Sequence, residues 1–152
     1  MGQQQLLLLV AGIVIVGLAV MVGVQAFSEN QKKANADALT FTAINIASSA
    51  QKWLQTPEIL GGGKPADGNI TGDFTGKSII FQDLGYTINS NDEFQTVHGT
   101  FALTNSGSTV IVEGRSFSTS GGGDNNLICV TVTGLTETDI STISNPSSGS
   151  CS

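Results

Sequence analysis

The chain carries few charged side chains, few aromatic rings and few residues that bind metals. Only 12% of its 152 residues are charged, and six lysines and arginines against twelve aspartates and glutamates give a net charge of -6. This balance argues against a groove that neutralises nucleic-acid phosphates. The single histidine, His98, and the two cysteines do not form a zinc-binding pattern. We therefore expect no nucleic-acid binding, no metal site, no cofactor and no enzymatic activity.

Charged residues are missing altogether from the start of the chain, where one long apolar segment stands instead. From Leu6 to Val24 every residue is apolar or glycine, and the first charged side chain is Glu29. Such a run is long enough to cross the hydrocarbon core of a bilayer as a helix. A secretory signal peptide is the alternative, but the run is longer than a typical signal core and no basic residue precedes it. We expect a helix that is retained in the mature protein.

Proline is absent before Pro57, so the helix is expected to continue beyond the apolar run to Gln55. Between residues 28 and 56 apolar side chains recur at spacings of three and four, which is typical of an amphipathic helix. They are Leu39, Ala43, Ile46, Ala47, Ala50, Trp53 and Leu54. A helix of this extent would be about 80 Å long, more than twice what one bilayer crossing requires. The sequence predicts an apolar first half, residues 1–27, and an amphipathic second half, residues 28–56.

After Pro57 the sequence changes to turns and short β-strands. Residues 57–76 are rich in glycine and are predicted to form a loop. Apolar and polar residues then alternate, which predicts strands at residues 78–82, 94–103, 109–117 and 127–132. Hairpin turns are expected at residues 105–107 and 121–126. The sequence therefore predicts an α+β fold, in which residues 77–152 form a small antiparallel sheet packed on the amphipathic helix.

Both cysteines, Cys129 and Cys151, follow the apolar segment, on the side of a membrane that we expect to be oxidising. A disulfide between them is the favoured interpretation, and two unpaired buried thiols are the alternative. In the chain-entropy model the closed loop would add on the order of 3 kcal/mol to stability. It would also anchor the last residues of the chain.

The succession of a half-apolar helix, a glycine-rich loop, a short antiparallel sheet and a C-terminal cysteine pair resembles the type IV pilins. The resemblance covers the whole chain, and its most specific part is the N-terminal sequence MGQQQLLLLV. This sequence looks like the mature N-terminus that prepilin peptidase leaves after it removes a short basic leader. The resemblance implies that Met1 is the processed and methylated residue. Lys32 and Lys33 favour a basic leader, since otherwise the positive-inside tendency would hold the C-terminal part in the cytoplasm.

The resemblance also implies roles for residues of the apolar half. Type IV pilins usually carry Glu at the fifth mature position, which pairs with the N-terminal amine of a neighbour. This chain has an amide there, which accepts a hydrogen bond but lacks the charge that makes such a bond about twice as strong. The expected N-terminal contact residues are Gln3, Gln4 and Gln5. The side chains expected to pack in a filament core are Leu6, Leu9, Ile13, Val16, Val20, Val24 and Phe27.

Glycines interrupt the apolar run at Gly12, Gly17 and Gly23. Small residues let two helices approach closely in a membrane, and glycine also lets a helix bend or melt locally. Ordinary membrane-helix composition is the alternative explanation, because glycine is frequent in transmembrane helices.

On this resemblance the chain is expected to be a structural subunit that polymerises through its N-terminal helix into a surface filament for attachment, motility or cell contact. The unassembled subunit would lie in the inner membrane. Its expected partners are further copies of itself, prepilin peptidase and the pilus assembly machinery, with surface glycans as a further candidate. The alternatives are the major pseudopilin of a secretion system, an archaeal pilin and a membrane-anchored extracellular binding module. The last of these would stay monomeric after extraction with detergent.

Overall fold

A computed structural model describes residues 2–65, 72–117, 126–144 and 151 of the chain. A long helix is followed by a five-stranded antiparallel sheet, which confirms the predicted α+β fold. The chain divides into two compact units, Met1–Ala34 and Asn35–Ser152.

Helix α1 spans Gly2–Gln55, as the absence of proline predicts. It ends before Pro57, because a proline has no N–H to continue the helical ladder. The Thr56 hydroxyl donates a hydrogen bond of 2.9 Å to the carbonyl of Lys52 at this end. The predicted apolar face of the second half is confirmed, since it is buried at Leu39, Ala43, Ile46, Ala47, Ala50 and Leu54.

The sheet is a meander in which each strand pairs with the next one along the chain, so that the order is β1-β2-β3-β4-β5. The strands are β1 Phe94–Gln95, β2 Gly99–Ser106, β3 Thr109–Ser116, β4 Leu127–Val132 and β5 Ile140–Ser144. The turn expected at residues 105–107 lies later in the chain, because Asn105 and Ser106 belong to β2. Strands β2 and β3 are joined at residues 107–108, where Gly107 has a φ of 59°. The predicted turn at residues 121–126 falls mostly outside the described residues.

The core lies between one face of the sheet and the second half of α1. The sheet contributes Phe101, Val110, Val112, Ile128, Val130 and Val132 to it, and the segment before the sheet contributes Phe74, Ile79 and Phe81. Gly114 makes room in this layer, because a Cβ atom there would lie 2.8 Å from the Phe101 ring. Among the described residues the buried core contains no charged or polar side chain.

The predicted strand at residues 78–82 is wrong. The Ile79 N–H donates to Asn105 Oδ1 at 3.1 Å, and Asn105 Nδ2 donates to the Ile79 carbonyl at 2.9 Å. A side-chain amide thus satisfies the main chain here, so this segment needs no neighbouring strand. The chain then turns at residues 81–85, which form no strand either.

Two other predictions need correction. The single strand expected at residues 94–103 is a hairpin of β1 and β2, closed where the Thr96 N–H donates to the Gly99 carbonyl at 2.9 Å. Strand β5 is missing from the prediction, because most of its residues are exposed and show no apolar alternation. Just before β5, the hydroxyl and N–H of Thr136 donate to the Asp139 carboxylate, which holds the pKa of Asp139 below its usual value.

Candidate assembly surface

The side chains predicted to pack in a filament core form an exposed apolar surface on the first unit. Leu6, Leu9, Ile13, Val16, Val20, Val24 and Phe27 are each between 60% and 67% exposed. Burying such a side chain is worth about 1.5–3 kcal/mol. In water this surface would therefore be unfavourable, and it requires an apolar partner.

The other sides of the same helix segment are equally apolar. Leu7 and Leu8 are 71% and 73% exposed, and Val14 and Leu18 are exposed as well. A helix that is apolar all round is suited to surroundings that are apolar on every side, such as lipid or a bundle of other helices. By length and composition α1 can cross a membrane.

The glycines of this segment are not required by contacts within the chain. A Cβ atom built on Gly12, Gly17 or Gly23 would meet nothing within 4 Å. In the second unit, by contrast, a Cβ atom on Gly99 would lie 2.1 Å from the carbonyl oxygen of Arg115. The glycines of the first unit therefore leave open positions at which another helix could approach, and their role in packing remains a prediction.

Gln3, Gln4 and Gln5 lie at the exposed start of α1. The first turn of α1 contains no acidic residue. The first N–H groups of a helix have no partner within the helix and carry a partial positive charge. The side-chain acceptors available to these N–H groups are the amide oxygens of Gln3, Gln4 and Gln5, which carry no net charge. Met1, the predicted site of processing and methylation, lies outside the described residues.

Cys129 and Cys151 form a disulfide with a Cα–Cα distance of 5.4 Å, as predicted. Successive residues of a strand point to opposite faces, so Cys129 of β4 lies on the face opposite to Ile128 and Val130. These two residues belong to the core. The disulfide therefore ties the C-terminal end of the chain to the outer face of the sheet, and the alternative of unpaired thiols is excluded.

The single histidine of the chain, His98, lies in the second unit. His98 is exposed, and its main-chain carbonyl accepts a hydrogen bond of 3.1 Å from Asn35 Nδ2. No group of three or more His, Cys, Asp and Glu that could hold a metal ion occurs among the described residues.

One exposed apolar feature of the second unit was missed by the sequence analysis. Ile59 and Leu60 are 89% and 75% exposed in the loop that follows α1. The prediction treated this part of the chain only as a glycine-rich connection. The sequence did contain a signal of this exposed feature, because two adjacent aliphatic residues stand there between Pro57 and the three glycines at 61–63.

Trp53 was predicted to pack against the sheet, and it is only partly buried at the edge of the core. Its indole N–H donates to the carbonyl of Gly61 at 2.9 Å. A Cβ atom on Gly63 would lie 2.4 Å from the indole ring. The ring therefore also supports the loop after α1.

No known family, curated protein or solved structure matches this chain. The case for a function therefore depends on the residues of the chain itself.

Proposed function

We propose that this protein is the structural subunit of a type IV pilus-like surface filament, in which copies assemble by packing the apolar part of α1. The observation that carries the proposal is the exposed apolar surface from Leu6 to Phe27, which covers all sides of the helix. The subunit itself has no catalytic role in this proposal. The filament would serve adhesion, motility or cell contact.

The length of α1 supports assembly over simple anchoring. One bilayer crossing needs about 20 residues, whereas α1 has 54. The part of α1 from Leu39 onward belongs to the core of the second unit. Helix α1 therefore contains both the apolar surface and residues of the core of the second unit. A helix that served only to cross a membrane would not need this additional length.

Before assembly the apolar segment would lie in the inner membrane, and on assembly its side chains would exchange lipid for neighbouring helices. Because lipid tails are as apolar as leucine, this exchange gains mainly van der Waals packing between helices. Gly12, Gly17 and Gly23 would allow the closest approach. Gln3, Gln4 and Gln5 would supply neutral acceptors for the N-terminal amine of a neighbour. Prepilin peptidase and the pilus assembly machinery are the partners that this route requires.

A membrane-anchored extracellular binding module is the second candidate, because α1 by itself is suited to cross a membrane. The two candidates differ in what leaves the cell on shearing. We expect electron microscopy of sheared material to show thin filaments, whose main protein has an intact mass that includes the disulfide and an N-terminal methyl group. If the protein is found only as a detergent-soluble monomer in the membrane fraction, the anchored module is correct.

A matched pair of substitutions tests the packing surface. Val16→Asp places a charge in the proposed contact between helices and is expected to abolish filaments, because a buried carboxylate without a partner is strongly unfavourable. Val97→Asp makes the same chemical change at a position of the second unit that is 88% exposed, and filaments should be retained. Filament yield is measured by shearing, with immunoblotting of whole cells to show equal expression. Normal filaments from the Val16→Asp chain would contradict the proposal.

A further inference from the structure

A pocket of about 230 Å³ opens on the surface of the second unit, where the end of α1 meets the loop that follows it and the turn at residues 81–85. We name it the Trp53 pocket. Its walls include Lys52, Trp53, Thr56, Leu60, Asp83 and Leu84. Pockets for drug-sized ligands begin at roughly 300 Å³, so this pocket suits a smaller ligand that consists of a single ring.

The apolar walls of the Trp53 pocket are an indole ring and two leucines. The ring is held in place, because the Trp53 N–H donates to the carbonyl of Gly61 at 2.9 Å and Gly63 lies directly against the ring. Leu60 is 75% exposed and Leu84 is half-buried, so both contribute aliphatic surface. Walls of this kind bind the C–H groups of a small ring.

Two charged groups of opposite sign also line the Trp53 pocket, and they are not paired with each other. The Asp83 carboxylate is fixed through Oδ2, which accepts a hydrogen bond of 3.1 Å from the Ile80 N–H, and Oδ1 is a further acceptor. The ammonium group of Lys52 forms no ion pair with any carboxylate in the part of the chain that the structure describes. The pocket therefore offers a strong donor and a strong acceptor to one ligand.

These groups restrict the chemistry of the ligand. An ammonium group only donates hydrogen bonds and a carboxylate only accepts them, so a simple anion would be repelled by Asp83 and a simple cation by Lys52. A hydroxyl group both donates and accepts. The Thr56 hydroxyl adds a neutral acceptor, since it donates its own hydrogen to the carbonyl of Lys52. A sugar ring combines several hydroxyl groups with C–H groups that can lie on an indole.

We propose that the Trp53 pocket binds one neutral hexopyranose unit of a saccharide. The C–H groups of the sugar contact Trp53, and its hydroxyl groups donate to Asp83 and accept from Lys52. For a ligand of this size the expected affinity is on the order of 1 mM. In a filament, many copies would bind a sugar-coated surface at once, which raises the avidity. The inference goes beyond the proposed function, because a single subunit contains the whole pocket.

Sugar binding is measured on the full chain in a polyoxyethylene detergent, because glycoside detergents would compete for the pocket. The ligands are the methyl glycosides of glucose, galactose, mannose and N-acetylglucosamine. Trp53 is the single tryptophan, so its fluorescence reports each titration. We expect at least one glycoside to change the emission, and saturation-transfer NMR to show contact at its ring C–H groups. No response to any of these glycosides, or a response to phosphocholine in their place, would overturn the inference.

Substitutions test the role of the two charged groups. Lys52→Met keeps the aliphatic stem and removes the ammonium group, which should weaken binding about tenfold. Asp83→Asn keeps an oxygen for the Ile80 N–H and removes the charge, which should weaken binding about fivefold. Lys64→Met is the control, because Lys64 does not line the pocket. Equal affinities for the Lys52→Met and Lys64→Met chains would overturn the inference.

Filament formation is a separate measurement on the same variants. All three should still form filaments, because their substitutions lie in the second unit and leave Leu6 to Phe27 unchanged. Sugar binding is measured on single subunits. Its absence would therefore contradict this inference alone, whereas absence of filaments from the unmodified chain would contradict the proposed function.

Discussion

Asn105 shows how one side chain can decide the structure of a segment far away in the sequence. Its amide exchanges two hydrogen bonds with the main chain of Ile79, at 3.1 and 2.9 Å. This is the same exchange that a residue of a neighbouring strand would make. Because Ile79 is fully buried, its main-chain groups have no access to water in place of Asn105.

We expect Asn105→Ala to lower the free energy of unfolding of the second unit by about 1–3 kcal/mol, because it leaves a buried N–H and carbonyl without partners. The single tryptophan, Trp53, lies in this unit and reports its unfolding by fluorescence in urea. The matched control is Asn91→Ala, which alters an exposed side chain. Equal unfolding midpoints for the two variants would show that the hydrogen bonds between Asn105 and Ile79 do not stabilise the fold.

There is a physical reason why the sequence did not reveal the hydrogen bonds between Asn105 and Ile79. Asn105 stands beside Ser106 and Gly107, where a turn residue is expected, but it lies in β2, two residues before the turn that joins β2 to β3. Its contact with Ile79 bridges 26 positions, and nothing in a local pattern reports such a distance. The apolar residues at 79–81 therefore looked like a strand, although the Asn105 side chain satisfies the main chain of Ile79 and the Asp83 carboxylate accepts from the Ile80 N–H.

At the scale of elements, the prediction succeeded where burial follows a regular period. Helix α1 and strand β4 have the predicted bounds, and β3 ends one residue earlier than predicted. Strand β1 has only 2 residues and was predicted as part of one longer strand with β2. Strand β5 is mostly exposed and carries too little alternation to be recognised. The sequence thus reports the core-facing elements well and the edges of the sheet poorly.

The disulfide connects strand β4 to the C-terminal end of the chain, over a sequence separation of 22. Replacing both cysteines, as in Cys129→Ala with Cys151→Ala, is expected to lower the free energy of unfolding by about 3 kcal/mol, since the unfolded chain regains the freedom of that loop. Urea unfolding with and without a reducing agent measures this. The reductant should shift the midpoint of the natural chain and leave the double variant unchanged. If reduction has no effect on the natural chain, the disulfide does not contribute to stability.

At the scale of the whole molecule, charge and core are both confined to one part of the chain. Every charged side chain lies at or after Glu29. The buried apolar side chains of the described residues all lie at or after Leu39. The candidate assembly surface was predictable because a continuous apolar run is visible in the sequence itself. The exposure of Ile59 and Leu60 was not predicted, since it depends on the conformation of the loop after α1.

This division predicts how the chain behaves without its apolar segment. A variant that begins at Ser28 keeps Asn35 and every described residue of the buried core, so we expect it to fold, to stay soluble without detergent and to keep the unfolding free energy within about 0.5 kcal/mol. It should also be monomeric at micromolar concentration, because the proposed assembly surface, Leu6 to Phe27, has been removed. Analytical ultracentrifugation and the Trp53 fluorescence test measure these properties, with the detergent-solubilised full chain as the reference. A stable oligomer of the shortened chain would place the main assembly contact in the second unit, and would contradict the role proposed for the apolar helix.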